Sequence, residues 1–229
     1  MICKNNLYEL LEKCFSYTIC EEDGVELVSL FYDSIEVNED NFSKFKNELD
    51  NIREILKEDL QFFMDSDPAA SSLDEIKLAY PGFKAIAIYR ISHVLYELGY
   101  RVQARYLSEY AHSSTGIDIH PGANINHPFF IDHGTGTVIG QTSTIGKRVK
   151  IYQCVTLGAV SLSNANKLRG VKRHPQVGND VTIYSGASLL GAINIGDNVT
   201  IGSNVFLTED VPANQRVVIG KPALVFSKK

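Results

Sequence analysis

What this 229-residue chain lacks narrows it first. It has no excess of basic charge: 22 Lys and Arg stand against 27 Asp and Glu, a net charge of -5. That balance repels a phosphate backbone and argues against a nucleic-acid partner. It has no long apolar run, and the opening "MICKNNLYELLEKCFSY" carries charges throughout. Neither a secretory signal nor a membrane span fits that pattern, so a cytoplasmic protein without a membrane partner is expected. Cys3, Cys14, Cys20 and Cys154 form no CxxC pair and no Cys/His metal spacing, and free thiols are the expectation. No Rossmann or P-loop glycine pattern is present to cradle phosphates. What is there is an ordinary globular composition, 44% hydrophobic and 21% charged, enough for a substantial core.

Two patterns divide the chain. From Asn5 to about Tyr110 the apolar residues fall at helical spacing, in "LYELLEKCF", "FKNELDNIREILKEDLQFF" and "FKAIAIYRISHVLYELGYRVQARYLSEYAH". The last stretch carries Ile86, Tyr89, Ile91, Val94, Leu95 and Leu98 as one wide stripe that needs a packing partner, and "DSDPAASS" at 65–72 interrupts the pattern. A helical domain over 1–112 is expected, followed by a second domain over 113–229.

In that second domain the period becomes six. From Val177 the chain reads "VGNDVT", "IYSGAS", "LLGAIN", "IGDNVT", "IGSNVF", "LTEDVP". Val177, Ile183, Leu189, Ile195, Ile201 and Leu207 open the blocks, and Val181, Ala187, Ile193, Val199, Val205 and Val211 fill the fifth places. The same pattern appears upstream in "IHPGAN", "INHPFF" and "IDHGTG", then after a two-residue slip in "IGQTST", "IGKRVK" and "IYQCVT". Such repeats predict a parallel β-helix with about 18 residues per three-sided coil. The glycine that often follows the opening residue is expected to serve a turn conformation that a Cβ would oppose. The fold class is therefore α+β, a helical domain followed by a left-handed parallel β-helix of roughly four to five coils.

The repeat stops after "IYQCVTLGAV", and "SLSNANKLRGVKRHP" intervenes before Val177. This is an inserted loop at about 161–172, solvent-exposed and mobile by composition, which delivers Arg173-His174-Pro175 where the coil resumes. A second unusual stretch, "FFIDHGTGTVIG", places Asp132 beside His133 and then three glycines. It is either the working end of an enzyme or a polar corner of the scaffold.

Taken together, "DPA" (67–69), "DIHP" (118–121), "DHGTG" (132–136), "RHP" (173–175), the hexapeptide coils and "GKPA" (220–223) resemble the serine acetyltransferase family. The motifs stand in family order, with the family's 15-residue step from Asp118 to His133. The resemblance implies transfer of acetyl from acetyl-CoA, a co-substrate, to the hydroxyl of L-serine; His120, His127, His133 and His174 are spread along the chain without a recognised ligand spacing, and no metal is expected. Histidine is the usual base near neutral pH, and the resemblance makes His133 that base and Asp118 its orienter. Arg173 would clamp the serine carboxylate, Asp67 and Asp132 would receive its ammonium, and His174 would line the site. Ser185, Gly186 and Ser203 would flank the coenzyme arm, with Lys221 near a phosphate. The family also implies a homotrimer, which can pair into a hexamer, and inhibition by L-cysteine competitive with serine. The bland readings of these residues are turn or cap residues for Asp67 and Asp132, tight coil corners for the small residues, and structural or rim positions for His120 and His127.

The chain departs from the family in places. It reads Gly140-Gln141-Thr142 where a glutamate is common, and His174 follows His133 by 41 residues, a longer step than in enterobacterial members. It stops at "VFSKK" without the isoleucine-ended tail that docks a sulfhydrylase, so that partnership is not expected. Competing readings are a hexapeptide acyltransferase for another acceptor, a trimeric metal-dependent carbonic anhydrase, and a non-catalytic scaffold.

Overall fold

The computed structural model describes residues 39–161 and 165–220. The helix expected in "LYELLEKCF", the thiols Cys3, Cys14 and Cys20, and Lys221 lie outside the described residues.

Phe45, Leu49, Ile52, Leu56, Leu60 and Phe63 recur every three or four residues, and all are buried along one face of α1, Glu39–Ser66. The "DPAASS" segment ends it. Ser72 then caps α2, Leu73–Ala79, by accepting the Glu75 N–H at 3.1 Å. Helix α3, Pro81–Glu97, begins with a proline in its first turn, where no N–H is needed, and α4 spans Arg101–Thr115. The long apolar stripe is thus cut in two. Gly99 takes φ +91°, a conformation open to glycine, and the Tyr100 N–H bonds back to Leu95 O at 2.9 Å, so α3 stops and α4 packs beside it. The helices run to Thr115 and the first strand begins at Asp118.

One buried ion pair joins the helices to the first coil. Asp59 of α1 accepts from Arg90 Nε at 2.7 Å and Nη2 at 2.9 Å and from the Phe129 N–H at 2.8 Å, while Arg90 Nη1 reaches Ile125 O at 3.4 Å. Burial pushes the Asp59 carboxyl up and the Arg90 guanidinium opposes it.

Short parallel strands form three sheets. The first stacks β1 (Asp118–Ile119), β4 (Val138–Ile139), β7 (Thr156–Gly158), β10 (Ser188–Leu190) and β13 (Phe206–Leu207). The second stacks β2 (Asn124–Ile125), β5 (Thr144–Ile145), β8 (Gln176–Val177) and β11 (Asn194–Ile195). The third stacks β3 (Phe129–Ile131), β6 (Val149–Ile151), β9 (Thr182–Ile183), β12 (Thr200–Ile201) and β14 (Arg216–Val217). The result is a three-sided parallel β-helix of about five turns. Every opening and fifth-place aliphatic from Val177 to Val211 is buried inside it, and removing each Leu, Ile or Val from water contributes roughly 1.5–3 kcal/mol.

The registers locate both irregularities. Ser188 pairs with Phe206 and Thr182 with Thr200, steps of 18 residues. Asp118 pairs with Val138 and Asn124 with Thr144, steps of 20. The two extra residues fall in one corner: seven steps lead from Ile131 to Val138, five from its neighbour Ile151 to Thr156. Thr156 to Ser188 and Thr144 to Gln176 are steps of 32, so the inserted loop adds fourteen residues between Gly158 and Gln176, with a 3-10 turn at Ala165–Leu168.

The expectation for the second-place glycines needs correction. Left-handed φ sits mainly at the fourth place of the blocks, at Arg148, Cys154, Asp180, Gly186, Asn198 and Asn204. The second-place glycines answer to crowding: a Cβ on Gly146 would lie 2.6 Å from Gly178 C, one on Gly178 2.4 Å from Asp197 Oδ1, and one on Gly196 2.4 Å from Ala213 N. Coil stacking, and not turn conformation, excludes a side chain there.

Candidate active site

The widened corner between β3 and β4 is the "DHGTG" stretch. His133 has φ 56°, and Gly134 and Gly136 have φ +77° and +76°, so the corner bulges through consecutive left-handed positions that glycine permits. It is pinned above and below: Gly136 N–H donates to Gly116 O at 2.8 Å and Cys154 N–H to Thr135 O at 2.9 Å. A Cβ on Gly134 would meet Ile117 Cδ1 at 2.4 Å. The bulge leaves His133 with 70% of its side chain exposed, its Nε2 3.7 Å from Asp132 Oδ2.

Asp67 reaches the same corner from the segment after α1. Its Oδ2 accepts the Tyr80 hydroxyl at 2.6 Å and its Oδ1 the Ala69 N–H at 2.8 Å. The Tyr80 bond, then the Ala69 bond, and more weakly His133 hold the Asp67 carboxyl below its ordinary range, and Asp67 in turn pushes Tyr80 up to about 12. Tyr152, raised first by burial and then by Asp132, stacks on Tyr184 at 5.1 Å. An aromatic floor of Tyr80, Phe63, Phe130 and Tyr152 runs beneath these carboxylates, each ring in edge contact with the next.

Asp118 stands at the start of β1, two residues beyond Gly116 and so beside this corner. Arg105 Nη1 lies 3.7 Å from its carboxylate, and no hydrogen bond joins it to His133. Glu109, His112 and Asp118 offer ligand atoms within 4.8 Å of one another, but the Arg105 guanidinium sits among them, on Glu109 and near Asp118. None of His120, His127, His133 and His174 belongs to a metal-compatible cluster among the described residues. His127 instead pairs with Glu58 at 2.7 Å.

Arg173 and His174 occupy a different corner, between the first and second sheets. His174 Nδ1 takes the Thr142 N–H at 3.1 Å and faces the Thr142 hydroxyl at 2.8 Å, which itself accepts the His174 and Arg173 N–H groups. With Nδ1 an acceptor, the remaining ring proton belongs on Nε2. Burial, then Arg173 and Lys172, depress His174 to about 4, so it is a neutral donor at working pH. Its ring lies against Gly140, where a Cβ would be 2.1 Å from His174 Cδ2. Arg173 Nη2 donates to Gln141 Oε1 at 2.6 Å and Nη1 to Leu168 O and Val171 O at 3.3 Å; Gln141 Nε2 donates to Tyr96 at 2.9 Å. Lys172 fastens the loop end through Thr142 O at 2.5 Å and Thr144 Oγ1 at 2.6 Å. His120 completes this cluster; its Nδ1 accepts Gly122 N–H at 2.9 Å and burial depresses it to about 4.

Below His133, the fourth-place corner positions form a column down the solenoid: Cys154, Gly186, Asn204. Ser185 and Ser203 lie in it with hydroxyls 3.3 Å apart, and a Cβ on Gly186 would strike Asn204 Oδ1 at 2.3 Å. Cys154 is a free, exposed thiol. One chain thus brings Asp67, Asp132 and His133 together, sets Asp118 beside them, and holds Arg173 and His174 apart. Tyr80 and Tyr96 are participants that the sequence motifs did not single out, and Gln141 and Thr142 stood out there only as a departure from the family pattern; the placement of Tyr80 directly before Pro81 at a helix start is the one sequence signal of its fixed position.

The pattern "Bacterial transferase hexapeptide (six repeats)" matches residues 174–209. A serine acetyltransferase of Synechococcus elongatus is 51% identical over 172 residues, 74% of this chain and 54% of that protein. The serine acetyltransferase of Helicobacter pylori is 45% identical over 162 residues, 71% of this chain and 91% of that one. Among solved structures, serine acetyltransferase isoform 3 of Entamoeba histolytica in complex with cysteine superposes with TM-score 0.83 at 35% identity, over 96% of this chain and 84% of that chain. The Neisseria gonorrhoeae enzyme in complex with serine gives 0.70 at 28% over 96% of both chains, and a serine acetyltransferase complex with CoA gives 0.69 at 26%, over 92% of this chain and 97% of that one. With motifs, solenoid and relatives aligned over more than two thirds of both chains in agreement, this chain belongs to the serine acetyltransferase family.

Proposed function

We propose that this chain transfers the acetyl group of acetyl-CoA to the hydroxyl of L-serine, giving O-acetyl-L-serine and CoA, at a site completed between two copies in a homotrimer. The reaction is the first step of cysteine formation from serine, carried out in the cytoplasm. The observation that carries the reading is the placement of His133 on the bulged corner, exposed, with Asp67 and Asp132 beside it.

His133 takes the proton of the serine hydroxyl as its oxygen attacks the thioester carbonyl. The tetrahedral intermediate then collapses, the C–S bond breaks, and the imidazolium returns the proton to the departing thiolate. Asp118, at the same corner, stabilises that imidazolium. Asp67 and Asp132 receive the substrate ammonium, and the Arg173 fork receives its carboxylate. His174, neutral with Nε2–H outward from its Thr142 anchor, donates to the bound amino acid or the thioester oxygen. The coenzyme arm runs down the corner column past Ser185, Gly186 and Ser203, with Lys221 toward a phosphate. The separation of the two residue sets supports a shared site: the Asp67, Asp132 and His133 corner of one copy meets the Arg173 and His174 corner of the next across the first sheet, whose outward Val138 and Phe206 are exposed apolar residues.

L-cysteine differs from serine only by sulfur for oxygen, so the same contacts accept it, and it inhibits competitively with serine. Acetyl-CoA turnover with serine, homoserine, O-phosphoserine and sugars, with cysteine varied against serine, tests the reading. Serine-dependent release of CoA relieved of cysteine inhibition by high serine is expected; turnover only with another acceptor would overturn it.

A further inference from the structure

Asp67 owes its geometry to a residue outside every motif. We infer that Tyr80 is a positioning residue for the acceptor amino acid: its hydroxyl locks the Asp67 carboxylate, ionised and in one orientation, to receive the substrate ammonium. The inference rests on the reading that Asp67 binds that ammonium, and adds the group that makes it competent to do so.

The Tyr80 hydroxyl donates to Asp67 Oδ2 at 2.6 Å, and the backbone N–H of Ala69 holds the other oxygen at 2.8 Å. Together they engage both carboxylate oxygens, and each oxygen keeps a further lone pair for a ligand. Tyr80 is itself well fixed. It is the C-cap of α2 and the N-cap of α3, its N–H bonds to Ile76 O at 3.2 Å, Pro81 restricts its backbone, and its ring packs edge-on against buried Phe63 at 6.2 Å. A carboxylate on a short connecting segment would otherwise sample several rotamers, each with a different direction for the ammonium, and that freedom weakens binding. Asp132 acts on Tyr80 through space as well, which places the hydroxyl among the carboxylates of the site.

Three variants test the assignment by serine kinetics: Tyr80→Phe, Asp67→Asn and the double variant. Tyr80→Phe keeps the ring against Phe63 and so the fold, which its thermal midpoint checks. It is expected to raise KM for serine about three- to tenfold, the loss of one part-buried hydrogen bond, with kcat and KM for acetyl-CoA within about twofold. Asp67→Asn raises KM for serine further, and adding Tyr80→Phe to it then changes nothing more, because the tyrosine acts through the aspartate. An Asp67→Asn enzyme with unchanged KM for serine would overturn the underlying reading. An Asp67→Asn effect with no effect of Tyr80→Phe, or a Tyr80→Phe effect that persists in the double variant, would overturn the inference alone.

Discussion

At Gly140 a missing Cβ admits a neighbouring ring, because the His174 imidazole fills the space a side chain would need. Gly140→Ala should therefore push His174 out of its Thr142 seat and raise KM for serine by one to two orders of magnitude, the usual effect of misplacing a binding group by about 1 Å. Circular dichroism should remain that of the parent. His133→Asn, at the other corner, should lower kcat by roughly 10²–10⁴ while leaving coenzyme affinity unchanged, since a base acts only on the way to the transition state. His174 and His120 also set a pH dependence. Both are depressed to about 4 by burial, so as pH falls below about 6.5 the unfolded chain takes up protons that the folded chain refuses. Stability should decline progressively from about pH 6.5 to about pH 4, and replacing both histidines with asparagine should flatten the thermal midpoint over that window.

At the scale of elements, six-residue periodicity gave away the coils, because each block's opening and fifth residues face an interior that tolerates only aliphatics. The break at Gly99 was not legible: the apolar stripe continues through both α3 and α4, and only the glycine's backbone conformation separates them. The site was half legible. Motifs named candidate residues and the two-residue slip marked the bulge, but hexad counting does not say that the bulge and the returning loop stand at different corners, and contacts between residues far apart in sequence, such as Tyr96 to Gln141 to Arg173, leave no trace in local pattern. The same holds for the Asp59–Arg90 pair, whose partners are 31 residues apart. Arg90→Met should leave a buried carboxylate without its cation and cost about 3–5 kcal/mol, read as a lower midpoint in chemical denaturation.

For the whole molecule, the solenoid's first sheet divides the candidate site residues into two sets. His133 and its carboxylates flank one edge, Arg173 and His174 the other, and Phe206, 68% exposed, stands on the face between. In the proposed homotrimer a ring of three copies would close by repeating one edge-to-edge contact, and each reaction centre would draw its base from one copy and its carboxylate clamp from the next. The most direct test combines two inactive variants, His133→Asn and Arg173→Ala, by co-expression and measures serine-dependent release of CoA. In random mixed trimers about a quarter of the interfaces join an intact His133 to an intact Arg173, so activity near a quarter of the parent is predicted from two proteins that are each inactive alone. Mixed trimers as inactive as either variant would contradict the shared site, because they would place both residues' work within a single copy.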